Sequence, residues 1–361
     1  MIINCNRRLK TNMMRLLAIA LLLVISAKAY LYFSPENIDA QAVSKGHVNV
    51  YSSRKEILVK ELFDEFTDST GIEVNFVTDD AGKLISRLKS EGENTPADLF
   101  LTSDVGNLEF AKDEGLLQPI ISKTLNENIS SDYRDPDNSW YGLSIRARAI
   151  FYSKYRVYKS DLSTYEDLAD PKWKGKVLVR SSSNIYNQSL LASMIEANGE
   201  EETLNWAKGL VSNFARTPQG GDTDQIRAIA SGEGDVAIAN TYYYGRLEAS
   251  EISKDRSDSS KVGIFFPNQD GRGAHVNISG GGVTKYATNR EEAIKLLEYL
   301  SSKKAQKIYA DKNHEYPISV DVPASKIVSS WGGFKKDKLP MESFIKYRKD
   351  ILKIADKAGW R

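Results

Sequence analysis

Hydrophobic and polar positions alternate first at HVNVYSS (47–53), a pattern that predicts a strand. The period then changes. Between about Lys55 and Thr70, residues Ile57, Leu58, Leu62, Phe63 and Phe66 fall at helical spacing on one face, with Ser52 or Ser53 as the expected cap and Gly71 as the stop. IEVNFVT (72–78) predicts a second strand, a helix follows around Lys83–Glu91, and ADLFLTSD (97–104) predicts a third strand. Continuous apolar strands separated by helices predict a buried sheet with parallel neighbours. The logic repeats further on. KGKVLVRSSS (174–183) reads as a strand running into a loop, SLLASMIEANG (189–199) as a helix, and 223–247 as helix, glycine turn, strand and a further helix start. Strands are also expected at KVGIFFPN (261–268) and HVNISGGGVT (275–284), and NREEAIKLLEYLSS (289–302) as an amphipathic helix. Within these, the run Gly280–Gly282 reads as a backbone bend, and Asp79, Asp80, Asp222 and Asp224 as turn and cap residues. The pattern predicts two α/β lobes, with the chain passing between them near 143–149 and again near 267–273.

Charge and composition add a leader to this picture. The first 29 residues hold five basic side chains and no acids, followed through by the apolar run LLAIALLLVI and a small-residue SAKA site. This reads as an export signal over 1–29, then a polar spacer over 30–46. The run from Leu16 to Ile25 is 10 residues, short of the ~20 that span a bilayer. YLYF resumes the apolar character after Lys28, so an uncleaved membrane anchor is the alternative. The only cysteine, Cys5, precedes the apolar run and cannot be a lipobox cysteine, and the rest of the chain is free of thiol chemistry. Beyond the leader 44 basic residues face 48 acidic ones, a net charge of −4. That argues against a nucleic-acid partner.

Open α/β sheets carry ligands beyond the carboxyl ends of their strands, which singles out YSSR, TSD, RSSSNIYNQS and NTYYYGR. Tyr242, Tyr243 and Tyr244 open a helix after an apolar strand, with Asn240 or Thr241 as its cap. Three consecutive side chains cannot share one direction, so at least one packs. Tyr186 sits in a polar loop, where a core tyrosine is less expected. Converging phenols suit two ligand classes: an aromatic cage for a quaternary ammonium, or oxygen donors for a hard, highly charged cation. A phenol with a pKa of ~10 gives up its proton near neutral pH only to a strongly acidic ion such as Fe(III). Arg246, one turn after Tyr242, can stabilise phenolate charge. Arg54 follows the first strand at a helix start, and Arg146 and Arg148 alternate along a strand, so these basic groups can hold an anion or form ordinary ion pairs. His47, His275 and His314 are scattered without metal-ligand spacing, and His275 reads as a satisfied structural histidine. No nucleophile elbow, Walker or dinucleotide glycine pattern occurs, so the chain is expected not to be an enzyme.

The segments VNVYSSRKE, PADLFLTSD, WYGLSIRARAIFYSK, RSSSNIYNQSL, ANTYYYGRL and FFPNQDGRGAHVNISGGGV resemble the periplasmic ferric-ion-binding proteins, the substrate-binding components of iron ABC importers. The likeness runs from about His47 to about Trp331. It implies a two-lobed periplasmic-binding-protein fold of class II type with a hinge between the lobes. The implied division is an N-lobe over 47–143 and 267–325, a C-lobe over 144–266, and helices of unassigned lobe over 326–361. In such relatives the tyrosine of SSSNxYNQS and the first two of TYYxGR bind iron; here these are Tyr186, Tyr242 and Tyr243, leaving Tyr244 to pack and Arg246 beside the ligands. Several relatives carry His or His-Tyr after the YSSR-like segment, where this chain has Lys55 and Glu56. The resemblance therefore implies Fe(III) completed by water, or by carbonate or another synergistic anion that Arg54, Lys55 and Arg148 would hold. Glu56 and Tyr51 are the remaining candidate ligands. It further implies a periplasmic monomer that serves an inner-membrane ABC permease and its ATPase. The rival on the same fold is another small ligand, an anion or a polyamine. Tyrosine-, serine- and arginine-rich loops argue against the polyamine.

Overall fold

The computed structural model describes residues 46–338 and 343–361, so the expected export signal and most of the spacer lie outside the described residues. A sheet runs through the chain in the order β2-β1-β3-β8-β4-β6-β5, with β7 and β9 also paired to β4. Its strands are β1 (His47–Ser52), β2 (Glu73–Thr78), β3 (Leu99–Thr102), β4 (Tyr141–Ser153), β5 (Val177–Leu178), β6 (Val236–Asn240), β7 (Val262–Phe265), β8 (Val276–Val283) and β9 (Tyr316–Pro317). The first three are parallel, β8 runs antiparallel to β3, and β5 is parallel to β6.

The helices that matter for the site are α1 (Lys60–Thr70), α2 (Ala81–Glu91), α3 (Val105–Asp113), α4 (Ile185–Asn198), α5 (Glu200–Ser212), α6 (Asp222–Ser231), α7 (Thr241–Glu248), α8 (Arg290–Ser301), α9 (Lys303–Asn313), α10 (Ser343–Lys346) and α11 (Arg348–Ala358). Among the described residues, no helix is long and apolar enough to cross a membrane.

The architecture is α/β and two-lobed, and β4 joins its halves. From Tyr141 to Ala147 this strand pairs with β8; from Arg148 onward it pairs with β6 and β7. Period-two alternation then sorts its side chains. Phe151, with Leu178, Ala237 and Ala239, faces the core that also fills the first half. Ile150, with Val177, Val236 and Ile238, faces a separate core built on Leu190, Leu191, Trp206 and Leu210.

Local signals explain most elements. Asp80 accepts from the Gly82 amide and starts α2, and Asp224 accepts from Gly221 N ahead of α6. Gly71 ends α1 with φ +73°. The first helix differs from expectation: a short 3-10 turn, Glu56–Leu58, precedes α1, and neither Ser52 nor Ser53 caps it. The Ser52 hydroxyl instead accepts from the Arg54 amide and turns the chain out of β1. The expected strand at 174–183 contracts to the two residues of β5.

The glycine run is no bend. Gly280–Gly282 lies inside β8, hydrogen-bonded to β3 on one side and β4 on the other. A Cβ on Gly280 would come within 2.5 Å of the Tyr141 carbonyl oxygen and 2.9 Å of Leu108 Cδ1. Glycine is needed here because backbone meets backbone. Gly280→Ala is expected to lower the unfolding free energy by about 3 kcal/mol, read from urea denaturation midpoints at unchanged m-value.

Candidate metal centre

The carboxyl ends of β1, β3, β5 and β6 meet where β4 changes partners, around Arg146–Arg148. Three helices begin there. Asp104 caps α3, Asn184 caps α4 through Tyr186 N (3.1 Å), and Asn240 precedes α7. Their free N–H groups make this a place that favours negative charge.

Tyr186 stands in the first turn of α4, and Tyr242 and Tyr243 in the first turn of α7. The Tyr186 and Tyr242 hydroxyl oxygens are 3.2 Å apart, and the Tyr242 and Tyr243 rings stack at 4.1 Å. Ser103, at the end of β3, reaches Tyr186 from the other half at 3.2 Å between hydroxyls. Among the described residues, His, Cys, Asp and Glu form no metal-sized group. Tyrosine is therefore the side chain that gathers oxygen atoms here. Tyr244 points elsewhere: its hydroxyl donates to the Val262 carbonyl (2.8 Å), and its ring packs on Phe151 and Trp331.

Four guanidinium groups surround the phenols. Arg146, Arg148 and Arg180 lie 5.5, 5.9 and 5.4 Å from the Tyr186 ring centre. Arg146 pairs with Asp104 (3.2 Å), while Asp222 takes both Arg148 (3.0 Å) and Arg180 (3.3 Å). Arg54 pairs with Glu315 (2.9 Å), whose carboxylate also accepts from Ser144. Four arginines against three carboxylates leave one positive charge in excess. Arg54 is buried, and its Nε and Nη1 have no protein partner. Burial works against its charge, and Glu315 more than offsets that, so the guanidinium stays charged.

Burial pushes the Tyr242 hydroxyl well above its ordinary value, and Tyr186 and Tyr243 push it further. Tyr243 is raised too, by burial first and then by Tyr186 and Asp222. Without a cation the two hydroxyls keep their protons at neutral pH. Burial also raises the Asp104 carboxyl, with Arg146, Ser189 and Asn277 pulling the other way.

Both terminal nitrogens of Arg148 are engaged, by Asp222, Asn240, Asn187 (2.6 Å) and the Ile238 carbonyl. Tyr51 is not brought to the cluster. Its hydroxyl donates to Glu91 on α2 (2.9 Å), and burial and that carboxylate push its pKa up to about 12. Lys55 and Glu56 are exposed at the start of the 3-10 turn, and Arg246 is half-buried beside His314.

Two readings are corrected. Asp222, expected as a cap, is fully buried between Arg148 and Arg180. His275 is buried, but its Nε2 has no protein partner, and burial with Arg148 and Arg146 nearby lowers its pKa to about 3. Arg180, Glu315, Asp104 and Ser103 gave no sequence signal beyond lying near strand ends, because their roles depend on partners 42 to 261 residues away.

Residues 94–334 match the family model described as bacterial extracellular solute-binding protein. The chain is 51% identical over 314 residues to iron uptake protein A1 of Synechocystis sp., covering 87% of each. It is 52% identical to the solved Trichodesmium protein IdiA (FutA), in complex with iron and citrate ligands, at a TM-score of 0.84 over 88% of this chain and all of that one. It is 43% identical to the ferric binding protein from Campylobacter jejuni, also at a TM-score of 0.84, over 87% of this chain and all of that one.

The raised tyrosines carry a pH prediction. The unfolded chain releases their protons near pH ~10, whereas the folded chain holds them to higher pH. Their contribution is thus complete below that pH and is lost as pH rises through the folded values. The melting temperature of metal-free protein is expected to fall as pH rises above about 10, and less steeply in Tyr242→Phe. Equal slopes in both proteins would contradict the assignment.

Proposed function

The chain belongs to the bacterial extracellular solute-binding proteins, and from that premise we propose that it binds ferric iron through Tyr186, Tyr242 and Tyr243 and delivers it to an inner-membrane ABC permease and its ATPase. The observation that carries this reading is the meeting of Tyr186, Tyr242 and Tyr243 at two helix N-termini, with Tyr186 and Tyr242 buried and hydroxyl to hydroxyl and Tyr243 half-buried beside them. Relatives named as iron uptake and ferric-binding proteins support iron as the cargo. The family is one of solute carriers, and the chain acts as a carrier, not an enzyme.

Capture follows from the electrostatics. Phenols whose protons are held this firmly yield them to a small trivalent ion and resist calcium or magnesium, which prefer carboxylates and carbonyls. Three phenolates cancel the charge of Fe(III), and the surplus positive charge around them then favours an anion. Arg54, with two unpartnered buried nitrogens, is the group to hold carbonate or another synergistic anion. Exposed Lys55 and half-buried Arg246 add positive charge, while Arg148 is taken up by Asp222 and acts by fixing Asn187 and Asn240. Glu56 is the other group of the first half able to complete the coordination, and Tyr51 is committed to Glu91.

Ferric iron would meet the tyrosines of the second half while the lobes stand apart. Closure about β4 would bring Arg54, Ser103 and the anion over it, excluding water. Reopening, reduction of the metal or protonation of the phenolates would release it to the permease. This sequence of events suits a periplasmic monomer.

Absorption spectra of the purified protein, stripped with citrate and then given ferric iron, test the reading. A broad visible phenolate-to-iron band is expected, lost in Tyr242→Phe and Tyr186→Phe and retained in Tyr244→Phe. Arg54→Ala is expected to keep the colour and weaken binding by about 10–100-fold. A folded protein that stays colourless with ferric iron would mean that the cleft serves another small ligand.

A further inference from the structure

β5 offers only two ladder residues, so beyond Leu178 strand pairing no longer holds the chain that leads to Tyr186. The segment 343–361 takes over that task. Phe344 on α10 stands over Gly106, where a Cβ would come within 2.7 Å of its ring, and the Arg348 guanidinium lies 3.9 Å from the Phe110 ring centre on α3. Lys346 pairs with Glu196 on α4 at 2.8 Å. Past α11, Gly359 takes φ +74° and turns Trp360 into a buried slot, edge-on to Trp206 (6.2 Å) and Phe214 (6.0 Å).

Trp360 then grips the loop at both ends of a short span. Its indole Nε1–H donates to the Arg180 carbonyl (3.1 Å), and its own carbonyl accepts from the Ser182 hydroxyl. Asn187 Nδ2 donates to the same Arg180 carbonyl (2.8 Å) and to the Ser181 carbonyl (3.0 Å). Ser181 O accepts from Asn184 N (3.2 Å), and Asn184 caps Tyr186 N. The clamped residue Arg180 is the one that sits over the Tyr186 ring and shares Asp222 with Arg148.

We propose that Trp360 is a positioning residue for the tyrosine cluster. Its two hydrogen bonds fix Arg180–Ser182, and through Arg180, Asn184 and Asn187 they hold Tyr186 in a ready position, slowing release of the bound ion. A ligand held ready by rigid partners loses less freedom on binding than one on a loose loop. This role rests on the ferric reading above, and the test separates the two.

Trp360→Phe keeps a ring in the slot and removes the indole N–H, Ser182→Ala removes the second bond and leaves the core intact, and Ile354→Val thins the packing of α11 without touching either bond. In metal-free protein, amide hydrogen exchange at Asn184, Tyr186 and Asn187 is expected to quicken about tenfold in Trp360→Phe, in proportion to one lost buried hydrogen bond. Iron loss from loaded protein to citrate should quicken by a similar factor. Ser182→Ala should show the same direction, and Ile354→Val neither effect. Unchanged exchange at these amides overturns the clamp. Faster exchange with unchanged iron loss overturns its role at the site, as does an equal effect in Ile354→Val. If the unsubstituted protein takes up no iron, the ferric reading fails, and Tyr186 amide exchange alone decides the clamp.

Discussion

Two buried arginines on one strand set the terms for everything around them. Arg146 and Arg148 project from the same face of β4, both with almost no exposure, at the point where that strand changes partners. A guanidinium inside a protein must be matched, since removing one partner of a buried pair costs about 3–5 kcal/mol. The two matches come from opposite directions: Asp104 from the end of β3 and Asp222 from the start of α6. Each carboxylate does further work. Asp104 caps α3 and accepts from Ser189 on α4 (2.7 Å), while Asp222 accepts from the Asn240 amide (2.8 Å) at the end of β6 and from Arg180. The charge balance thereby fixes where α4 and α7 begin, and so where three tyrosines meet.

That arrangement reconciles two demands that otherwise conflict. Burial makes Tyr242 and Tyr243 hold their protons in the absence of a cation. The same phenols at helix N-termini, ringed by guanidinium groups, face a positive field that would stabilise phenolate once a cation displaced the protons. Under the proposed ferric reading the cluster would select by charge: a weakly polarising ion would leave the protons in place, and a strongly acidic one would remove them. Arg54 completes the balance from the first half, its charge sustained by Glu315 and its remaining nitrogens unpartnered.

Much of the secondary structure was legible because it rests on short-range physics. The helical spacing of Leu62, Phe63 and Phe66, the alternation in His47–Ser52, and Asp80 or Gly71 at helix ends act within a few residues. Tyr186 stood out as an aromatic in a polar loop, and Tyr242–Tyr244 as a cluster at a strand end. The misreadings share one cause. Gly280–Gly282 looked like a bend because nothing local reveals that β3 and β4 press on both sides. Asp222 looked like a cap because its partners Arg148 and Arg180 lie 74 and 42 residues away. Tyr51 looked available because Glu91, which takes its hydroxyl, lies 40 residues on.

By itself the sequence determined the alternation of strands and helices, the strand ends at which a site could form, the absence of cysteine after Cys5, and the chemical type of the side chains gathered there. These follow from residue identity and from interactions along the backbone. Tertiary structure decided which of the three consecutive tyrosines packs, which carboxylate each arginine meets, that Arg54 keeps two nitrogens without a protein partner, and which segment contacts the loop before Tyr186. Those outcomes depend on distances between residues far apart in the chain, from Arg54 to Glu315 and from Arg180 to Trp360. The strength of a charge or a hydrogen bond depends on its partner's position and on the water excluded around it. Spacing along one chain carries neither quantity.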